Sequence, residues 1–283
     1  MRPVELIVQV MVFRVAIYIV RVLMSDVSFS FKTLIVTLLP ANYFVILYCA
    51  VFLISPFINM MLDRLSEKAM RTFLLLSFLI FAVYPTFVDV LGEVRGAAVV
   101  GLSSIGMYGS QWGYTIVNFV LMYLIGAYLR KGYSRIQRWS SGKLIVGLIL
   151  CVVAMMAWAR VNDKIGFLTE RSAWEYCNPL VIAEAAIIFC LFQKNDIGTN
   201  KVINKLAEGV FTVFLLHHIF LPYLKIERFV TGNPAIMVLH VIGSVVAIYI
   251  VCWVVHLLYH LIADPIFKAL SAKVNLPIID AES

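Results

Sequence analysis

Polar side chains stand inside long apolar stretches of this 283-residue sequence, and two of them carry opposite charges. Arg14 lies about ten residues into an apolar run, which at helical rise is roughly the middle of a bilayer. Glu184 lies at a comparable depth in a later run and is the candidate counter-charge. Charges inside a membrane usually face a cavity or an opposite charge. The two residues therefore predict either a polar cavity that handles substrate or a structural ion pair.

All five histidines fall in the last third of the chain. His217 and His218 lie well inside another apolar run. Two adjacent imidazoles at that depth can act as a proton acceptor and its neighbour. A histidine in a membrane span can equally be a hydrogen-bonded packing residue. Catalysis, substrate contact and packing all stay open for these two residues on this pattern alone.

A third polar group recurs at every fourth residue near the carboxyl end, at Cys252, His256, His260 and Asp264. This spacing places the four side chains on one stripe of a helix. The stripe resembles a metal-binding face, but a single helix offers only two such ligands to one ion. We therefore predict a polar stripe at the interface or facing the bundle, and no metal site. The five cysteines contain no closely spaced pair, so we expect neither a disulfide framework nor a zinc site.

A basic segment at residues 130–143 interleaves lysines and arginines with Tyr133 and Trp139. Such a segment is typical of an anchor at the cytoplasmic interface. It can also contact the phosphates of a cytosolic donor such as a coenzyme A thioester. The sequence contains no P-loop, GxSxG, dinucleotide-binding or HExxH pattern.

The composition identifies the elements that must position these residues. Hydrophobic residues make up 62% of the chain and charged residues 14%, and the mean hydropathy is +0.94. Soluble domains are only about half apolar, so the chain is predicted to be an integral membrane protein whose partner is the lipid bilayer. Its excess of seven positive charges lies in the segments between apolar runs and does not indicate nucleic acid. We expect one transmembrane domain over residues 1–274 and a short cytoplasmic tail over 275–283.

The apolar runs predict an all-α, polytopic transmembrane helix bundle of about eight spans. The predicted spans are 4–24, 42–61, 71–90, 114–130, 143–160, 178–193, 207–224 and 235–262. Residues 91–113 contain six glycines and are predicted to form a long loop that dips into the protein. Lysines and arginines are about twice as frequent on the side of the two termini as on the other side, which predicts cytoplasmic termini.

Several phrases of the sequence together resemble a known family. They are residues 39–48 (LPANYFVILY) and 53–59 (LISPFIN), residues 123–131 (YLIGAYLRK), residues 178–181 (NPLV) with 189–192 (FCLF), residues 204–207 (NKLA) and residues 213–217 (VFLLH). In order and spacing they are similar to phrases of the bacterial acyltransferase-3 family of integral membrane O-acyltransferases. Each phrase alone is weak. Together they extend along nearly the whole chain.

The resemblance implies an enzyme that moves an acyl group, commonly acetyl, from acyl-CoA to a hydroxyl of a cell-envelope polysaccharide or lipid-linked sugar, in the bacterial cytoplasmic membrane. Acyl-CoA is then a co-substrate, and no bound cofactor is expected. Within the resembling phrases His217 is the candidate catalytic imidazole. The candidate substrate contacts are Arg2, Arg14, Tyr43 and Glu184.

The sequence departs from the family at its start. The family has about ten spans, and its first two carry an arginine followed some ten residues later by the histidine that acts as general base. No such phrase precedes the first run here, so the chain resembles a form that lacks the first two spans, either truncated or inactive. The alternative function is a non-enzymatic component of polysaccharide export or a transporter, with the Arg14 and Glu184 cavity as its substrate path.

Overall fold

The computed structural model describes residues 2–165, 170–195, 198–230 and 232–273. Every regular element in these ranges is helical, which confirms the predicted fold class. The α-helices are α1 (Arg2–Leu23), α2 (Phe31–Thr37), α3 (Tyr43–Arg64), α4 (Glu67–Phe78), α5 (Tyr84–Arg95), α6 (Ile116–Lys131), α7 (Tyr133–Ile136), α8 (Ser141–Ile165), α9 (Pro179–Lys194), α10 (Lys201–Glu208), α11 (Val210–Phe220), α12 (Glu227–Val230) and α13 (Pro234–Lys273).

Polar side chains mark where the apolar helices begin. Asn42, Ser66, Thr115 and Asn178 each accept a hydrogen bond from a backbone N–H in the first turn of α3, α4, α6 and α9. The first turn of a helix has no backbone acceptor for its N–H groups, so such a side chain stabilises that end. Three of these caps coincide with the predicted starts of spans at residues 42, 114 and 178.

Six helices in the described chain are long and apolar enough to cross a membrane, and a seventh span is added if the bent pair α10 and α11 is one. By length and composition, the described helices therefore account for six or seven of the eight spans that the sequence predicts. The predicted span 114–130 forms α6, whose 16 residues fall short of the roughly 20 that cross the hydrocarbon. The bend of 53° between α10 and α11 lies at Gly209. A Cβ there would lie 2.7 Å from the Trp253 ring, so the close approach to α13 requires glycine.

The third predicted span is longer than expected and contains an irregular turn. It begins at Glu67 and runs to Arg95, and a π-helical turn over Leu79–Val83 joins α4 to α5. The hydroxyl of Ser104 donates a hydrogen bond to the Ile80 carbonyl in that turn. The glycine-rich loop starts after Arg95, because Gly96 ends α5 in the left-handed conformation with a φ of 74°.

The described chain forms two compact units. The first contains α1, α2 and α10 to α13, and the second contains α3 to α9. The prediction of one domain over residues 1–274 stays a prediction, and the predicted tail 275–283 lies outside the described residues.

Helix α6 is central to the second unit, where it contacts α3, α4 and α9. One core cluster joins Leu62 and Met70 to Leu124, and another joins Leu121 to Ala82 and Ile182. In the first unit, α13 packs along α11, and α1 contacts both α2 and α11. These contacts hold the ends of α3, α6, α11 and α13, where the candidate residues lie.

Candidate functional site

A cavity of about 660 Å³ lies between α3 and α6 in the second unit, with Phe189 of α9 at its side. The α6 residues that line it are three or four positions apart and share one helical face. They are Tyr123, Gly126, Ala127, Arg130 and Lys131. The cavity is within the size range of small-molecule sites, which is about 300–1,000 Å³.

The two cations of this cavity differ in their partners. The Lys131 ammonium donates to Asp63 Oδ1 at 2.7 Å and to the Leu62 carbonyl at 3.1 Å. Arg130 is exposed and takes part in no ion pair within the described part of the chain. The Tyr123 hydroxyl donates to Asn59 Oδ1 at 2.8 Å. The cavity therefore combines one cation held by a carboxylate with one that is available to an anionic ligand.

Small residues on α6 create the space. A Cβ added at Gly126 would meet no atom within 4 Å, so the middle of the lining face opens into the cavity. Leu62 is only 2% exposed and packs with Met70 and Leu124. The apolar part of the cavity therefore rests on a well-packed core.

A further arginine near the same helix end is engaged elsewhere. Arg135 on α7 donates to the Tyr128 hydroxyl at 2.7 Å and pairs with the Glu67 carboxylate. The Tyr128 hydroxyl and the Glu67 charge both hold the pKa of Arg135 above its ordinary value. Arg135 therefore links α7 to α4, whereas Arg130 is the arginine that can bind a ligand.

A second cavity in the same unit, of about 310 Å³, has the opposite charge. Carboxylates and aromatic rings line it, namely Asp89, Glu93, Glu175, Tyr108 and Trp112. It lies beside the loop that precedes α6, whereas the basic cavity contains Arg130 and Lys131 at the other end of that helix. The carboxylates of this second cavity repel an anionic ligand, whereas the cations of the basic cavity attract it.

The polar groups of this second cavity form a tight cluster. The Ser110 N–H donates to Asp89 Oδ1 at 3.1 Å, and the Ser110 hydroxyl donates to Glu175 Oε2 at 3.3 Å. One ligand atom from each of Asp89, Glu175 and Cys177 lies within 4.8 Å of the others. We predicted no metal site from the sequence, and these three residues are the group in the described chain that can hold a cation.

The loop between α5 and α6 reaches the cluster of Asp89, Ser110 and Glu175 only because two of its residues are glycines. A Cβ at Gly109 would lie 2.2 Å from Asp89 Oδ1, and one at Gly113 would lie 2.6 Å from the Cys177 nitrogen. Between them, Gln111 and Trp112 adopt left-handed backbone conformations with φ of 55° and 57°. Such conformations are strained for residues with a Cβ.

His217 lies on α11 and is half-buried. Its Nδ1 is 3.0 Å from each of the carbonyl oxygens of Val213 and Phe214. Because a carbonyl oxygen only accepts, Nδ1 is the ring nitrogen that donates, and in the neutral imidazole the lone pair is then on Nε2. The atom Nε2 is therefore the one that can accept a proton from a substrate. The catalytic role of His217 stays a prediction.

Arg14 has backbone partners. Its guanidinium donates to the carbonyls of Thr37 at 3.3 Å and Ala41 at 3.0 Å. Thr37 is the last residue of α2, and carbonyls at that end of a helix lack partners and carry partial negative charge. Glu184 belongs to the other unit, and its pairing with Arg14 stays a prediction. Arg2 begins α1, and its side chain lies outside the described part.

The other two predicted substrate contacts lie in the second unit. Glu184 is on α9, and its Oε1 atom is buried without a hydrogen-bond partner in the described chain. Tyr43 is the first residue of α3, and its ring centroid is 4.4 Å from that of Tyr114, which in turn is 5.1 Å from Tyr176. Tyr43 therefore begins an aromatic cluster. Its role in substrate binding stays a prediction.

The polar stripe of α13 is divided: Cys252 and His256 face the interior of the first unit, whereas His260 and Asp264 are partly exposed. Cys252 is 0% exposed and His256 is 6% exposed. His256 Nδ1 is 3.4 Å from the Thr212 hydroxyl, which accepts a hydrogen bond from Gln9 at 3.0 Å. One turn further along, His260 Nδ1 is 2.7 Å from Asp264 Oδ1.

The sequence did not point to Asp89 or Glu175 as candidates. Their neighbours in space are 21 and 65 residues away along the chain, so no local spacing connects them. The sequence did contain one indication of this site. Gly109 and Gly113 flank the strained turn, and glycines at this spacing indicate an unusual backbone path.

Comparison with known proteins adds one match to this geometry. A family model described as an acyltransferase domain matches residues 6–257. No curated protein and no solved structure matches the chain. The match covers most of the chain, including parts of both units, and it confirms the resemblance seen in the phrases. The chain therefore belongs to the acyltransferase-3 family and is a multi-pass membrane acyltransferase.

Proposed function

We propose that the chain transfers an acyl group such as acetyl from acyl-CoA to a sugar hydroxyl of a cell-envelope polysaccharide, in a bacterial cytoplasmic membrane. The basic cavity between α3 and α6 is the observation that carries the choice of donor. Acyl-CoA combines phosphates with a long uncharged arm, and the cavity combines the cations Arg130 and Lys131 with an apolar interior. Arginine and lysine are the usual partners of phosphate groups.

Arg130 is the stronger of the two candidates for phosphate contact. Its guanidinium offers several N–H donors to one phosphate and is in no ion pair in the described chain. Lys131 already donates to Asp63, so a phosphate must compete with that carboxylate. The second cavity contains three carboxylates and repels a phosphate. The donor is therefore assigned to the basic cavity.

Acyl transfer also requires a group that accepts the proton of the acceptor hydroxyl. The resemblance selects His217 for this role, and its Nε2 lone pair is compatible with it. Arg2, Arg14, Tyr43 and Glu184 remain the proposed substrate contacts. The acceptor is a neutral sugar, or a sugar linked to a lipid of the bilayer.

The proposal is tested with the full chain in nanodiscs, radiolabelled acetyl-CoA and a glycan fraction from bacterial envelopes. We expect label in the glycan together with release of free coenzyme A thiol. Vesicles whose phospholipids carry labelled acyl chains form a second arm, because a phospholipid also combines phosphate with apolar chains. Label transfer from the phospholipid alone would contradict the assignment of acyl-CoA as donor. Glycan movement across the membrane without thiol release would favour the transporter.

A further inference from the structure

Two exposed aromatic rings line the carboxylate cavity, which is the cavity of about 310 Å³ that contains Asp89, Glu93 and Glu175. Trp112 is 49% exposed and Tyr108 is 64% exposed. An aromatic ring offers a flat apolar face against which the C–H groups of a sugar ring can pack. The volume is at the lower end of the range for small-molecule sites. It therefore suits a small ligand, such as a single sugar unit, better than a whole acyl-CoA.

The backbone around Trp112 holds its ring at the cavity. Trp112 adopts a left-handed conformation with a φ of 57°, which a side chain disfavours. Its N–H donates to the Ser110 hydroxyl at 3.0 Å, and its carbonyl accepts a hydrogen bond from the Tyr176 N–H at 3.2 Å. The Trp112 ring also contacts Tyr114, with the centroids 6.4 Å apart. The ring is therefore positioned before a ligand arrives, which lowers the entropic cost of binding.

The three carboxylates of the cavity are oriented by donors around them. Asp89 accepts from the Ser110 N–H at 3.1 Å, and Glu175 accepts from the Ser110 hydroxyl at 3.3 Å. Glu93 accepts from the Ser172 hydroxyl at 3.0 Å. An ionised carboxylate only accepts hydrogen bonds and has about four lone-pair positions for them. A ligand of this cavity must therefore supply O–H or N–H donors, which a sugar ring does.

The lining also discriminates between classes of ligand. The described residues that line the cavity include no lysine, arginine or histidine, so the carboxylates repel an anionic ligand. A metal ion could use Asp89, Glu175 and Cys177. It would make no use of the aromatic rings or of the apolar wall to which Val88 and Ala98 belong. A sugar without negative charge uses the carboxylates, the rings and the apolar wall together.

We propose that the carboxylate cavity binds the acceptor, as a sugar ring that carries no negative charge. This inference rests on the proposed function and adds to it the place of the acceptor. The sugar ring packs against Trp112, and its hydroxyl groups donate to Asp89 and Glu175. The cavity lies at the end of the span Glu67–Arg95 and at the beginning of the span Ser172–Lys194, so a glycan outside the hydrocarbon can enter it.

The first test measures binding in the absence of an acyl donor, so it does not depend on turnover. The full chain in nanodiscs is dialysed against labelled oligosaccharides released from the envelope glycan fraction. The oligosaccharides are first separated into a pool that carries acidic groups and a pool that does not. We expect the non-acidic pool to bind and the acidic pool to remain free.

Variants of the lining then locate the bound oligosaccharide. Trp112→Ala should raise the Kd for the non-acidic pool about two- to tenfold, whereas Trp112→Phe retains a ring and should bind as the unaltered chain does. Asp89→Asn keeps an oxygen that can accept from Ser110 but loses the charge, so we expect a rise of about five- to tenfold. Trp139→Ala is the matched control, because Trp139 is 42% exposed in the same unit and does not line the cavity.

A kinetic arm separates the acceptor site from the donor site. Trp112→Ala should raise the KM for the glycan and leave the KM for acetyl-CoA unchanged. Arg130→Ala should do the reverse, because Arg130 lies in the basic cavity. An unchanged KM for acetyl-CoA in Trp112→Ala also shows that this variant is folded.

The outcomes separate the inference from the proposed function. Oligosaccharide binding that is unchanged in both Trp112→Ala and Asp89→Asn would overturn the inference, and thiol release would still support the proposed function. Preference for the acidic pool would also overturn it. Zinc binding that Asp89→Asn abolishes, with no oligosaccharide bound, would assign the cavity to a metal ion and overturn it as well. Binding that both variants weaken, without thiol release, would keep the sugar site and contradict the proposed function, in favour of the export component.

Discussion

Replacing Arg130 by alanine is the most direct test of the donor site. The side chain lines the basic cavity, is exposed and has no ion pair in the described part of the chain. Its removal should therefore leave the free energy of unfolding within about 0.5 kcal/mol of the unaltered value, as for most surface positions. Any change in kinetics then reports on ligand binding and not on folding.

The expected size of the effect follows from the contact that is lost. A hydrogen bond to a charged group contributes about 1.5–3 kcal/mol. We take the lower end because Arg130 is exposed and water screens its charge. Each 1.4 kcal/mol corresponds to a factor of about ten, so the KM for acetyl-CoA should rise about tenfold in Arg130→Ala. Asp63→Asn should lower that KM, because it frees Lys131 from a competing carboxylate.

The assay measures thiol release at varied acetyl-CoA concentrations and at two ionic strengths. The effect of Arg130→Ala should shrink at high salt, since the lost contact is electrostatic. Arg138→Ala is the matched control, because Arg138 is also exposed and basic but donates to the Ser134 carbonyl outside the cavity. An unchanged KM in Arg130→Ala, or an equal rise in both variants, would show that the donor binds elsewhere.

Four further predictions concern individual residues. His217→Ala should abolish transfer if the family assignment is right, and retained turnover of radiolabelled acetyl-CoA would contradict that assignment. Glu184→Gln should lower turnover if the buried Glu184 side chain contacts substrate, and unchanged turnover would refute that role. Gly113→Ala should lower the melting temperature by several degrees, because its Cβ would lie 2.6 Å from the Cys177 nitrogen. Gly126→Ala should instead stabilise by about 0.4–1 kcal/mol, because its Cβ meets nothing within 4 Å.

The helical class could be predicted because it depends on local properties of the chain. An apolar run of about 20 residues must satisfy its backbone within itself in a bilayer, which a helix does. The starts of the helices near residues 42 and 178 could be predicted for the same reason, since Asn42 and Asn178 cap the helices that follow them. The number of spans was predicted less accurately, because α6 is short and because α10 and α11 are bent at Gly209.

The cavities could not be predicted because they join distant parts of the chain. Lys131 contacts Asp63 across 68 residues, and Ser110 contacts Glu175 across 65. The sequence did identify residues 130–143 as a possible phosphate contact, because clustered positive charge is visible without the fold. It also placed His260 and Asp264 on one stripe, since a spacing of four residues is a property of the helix itself. Which partner each imidazole obtains was visible only in the folded chain.

The π-helical turn at Leu79–Val83 has a consequence for insertions and deletions. Such a turn accommodates one residue more than a regular turn, and each residue of a regular helix rotates the next by about 100°. Deleting one residue within the π-helical turn would leave a regular turn and keep the face of α5 that carries Asp89 directed at Ser110. Deleting one residue between this turn and Asp89 would instead rotate that face by about 100° and break the contact between Asp89 and Ser110. A change of one residue in length should therefore be tolerated within the π-helical turn and not directly after it.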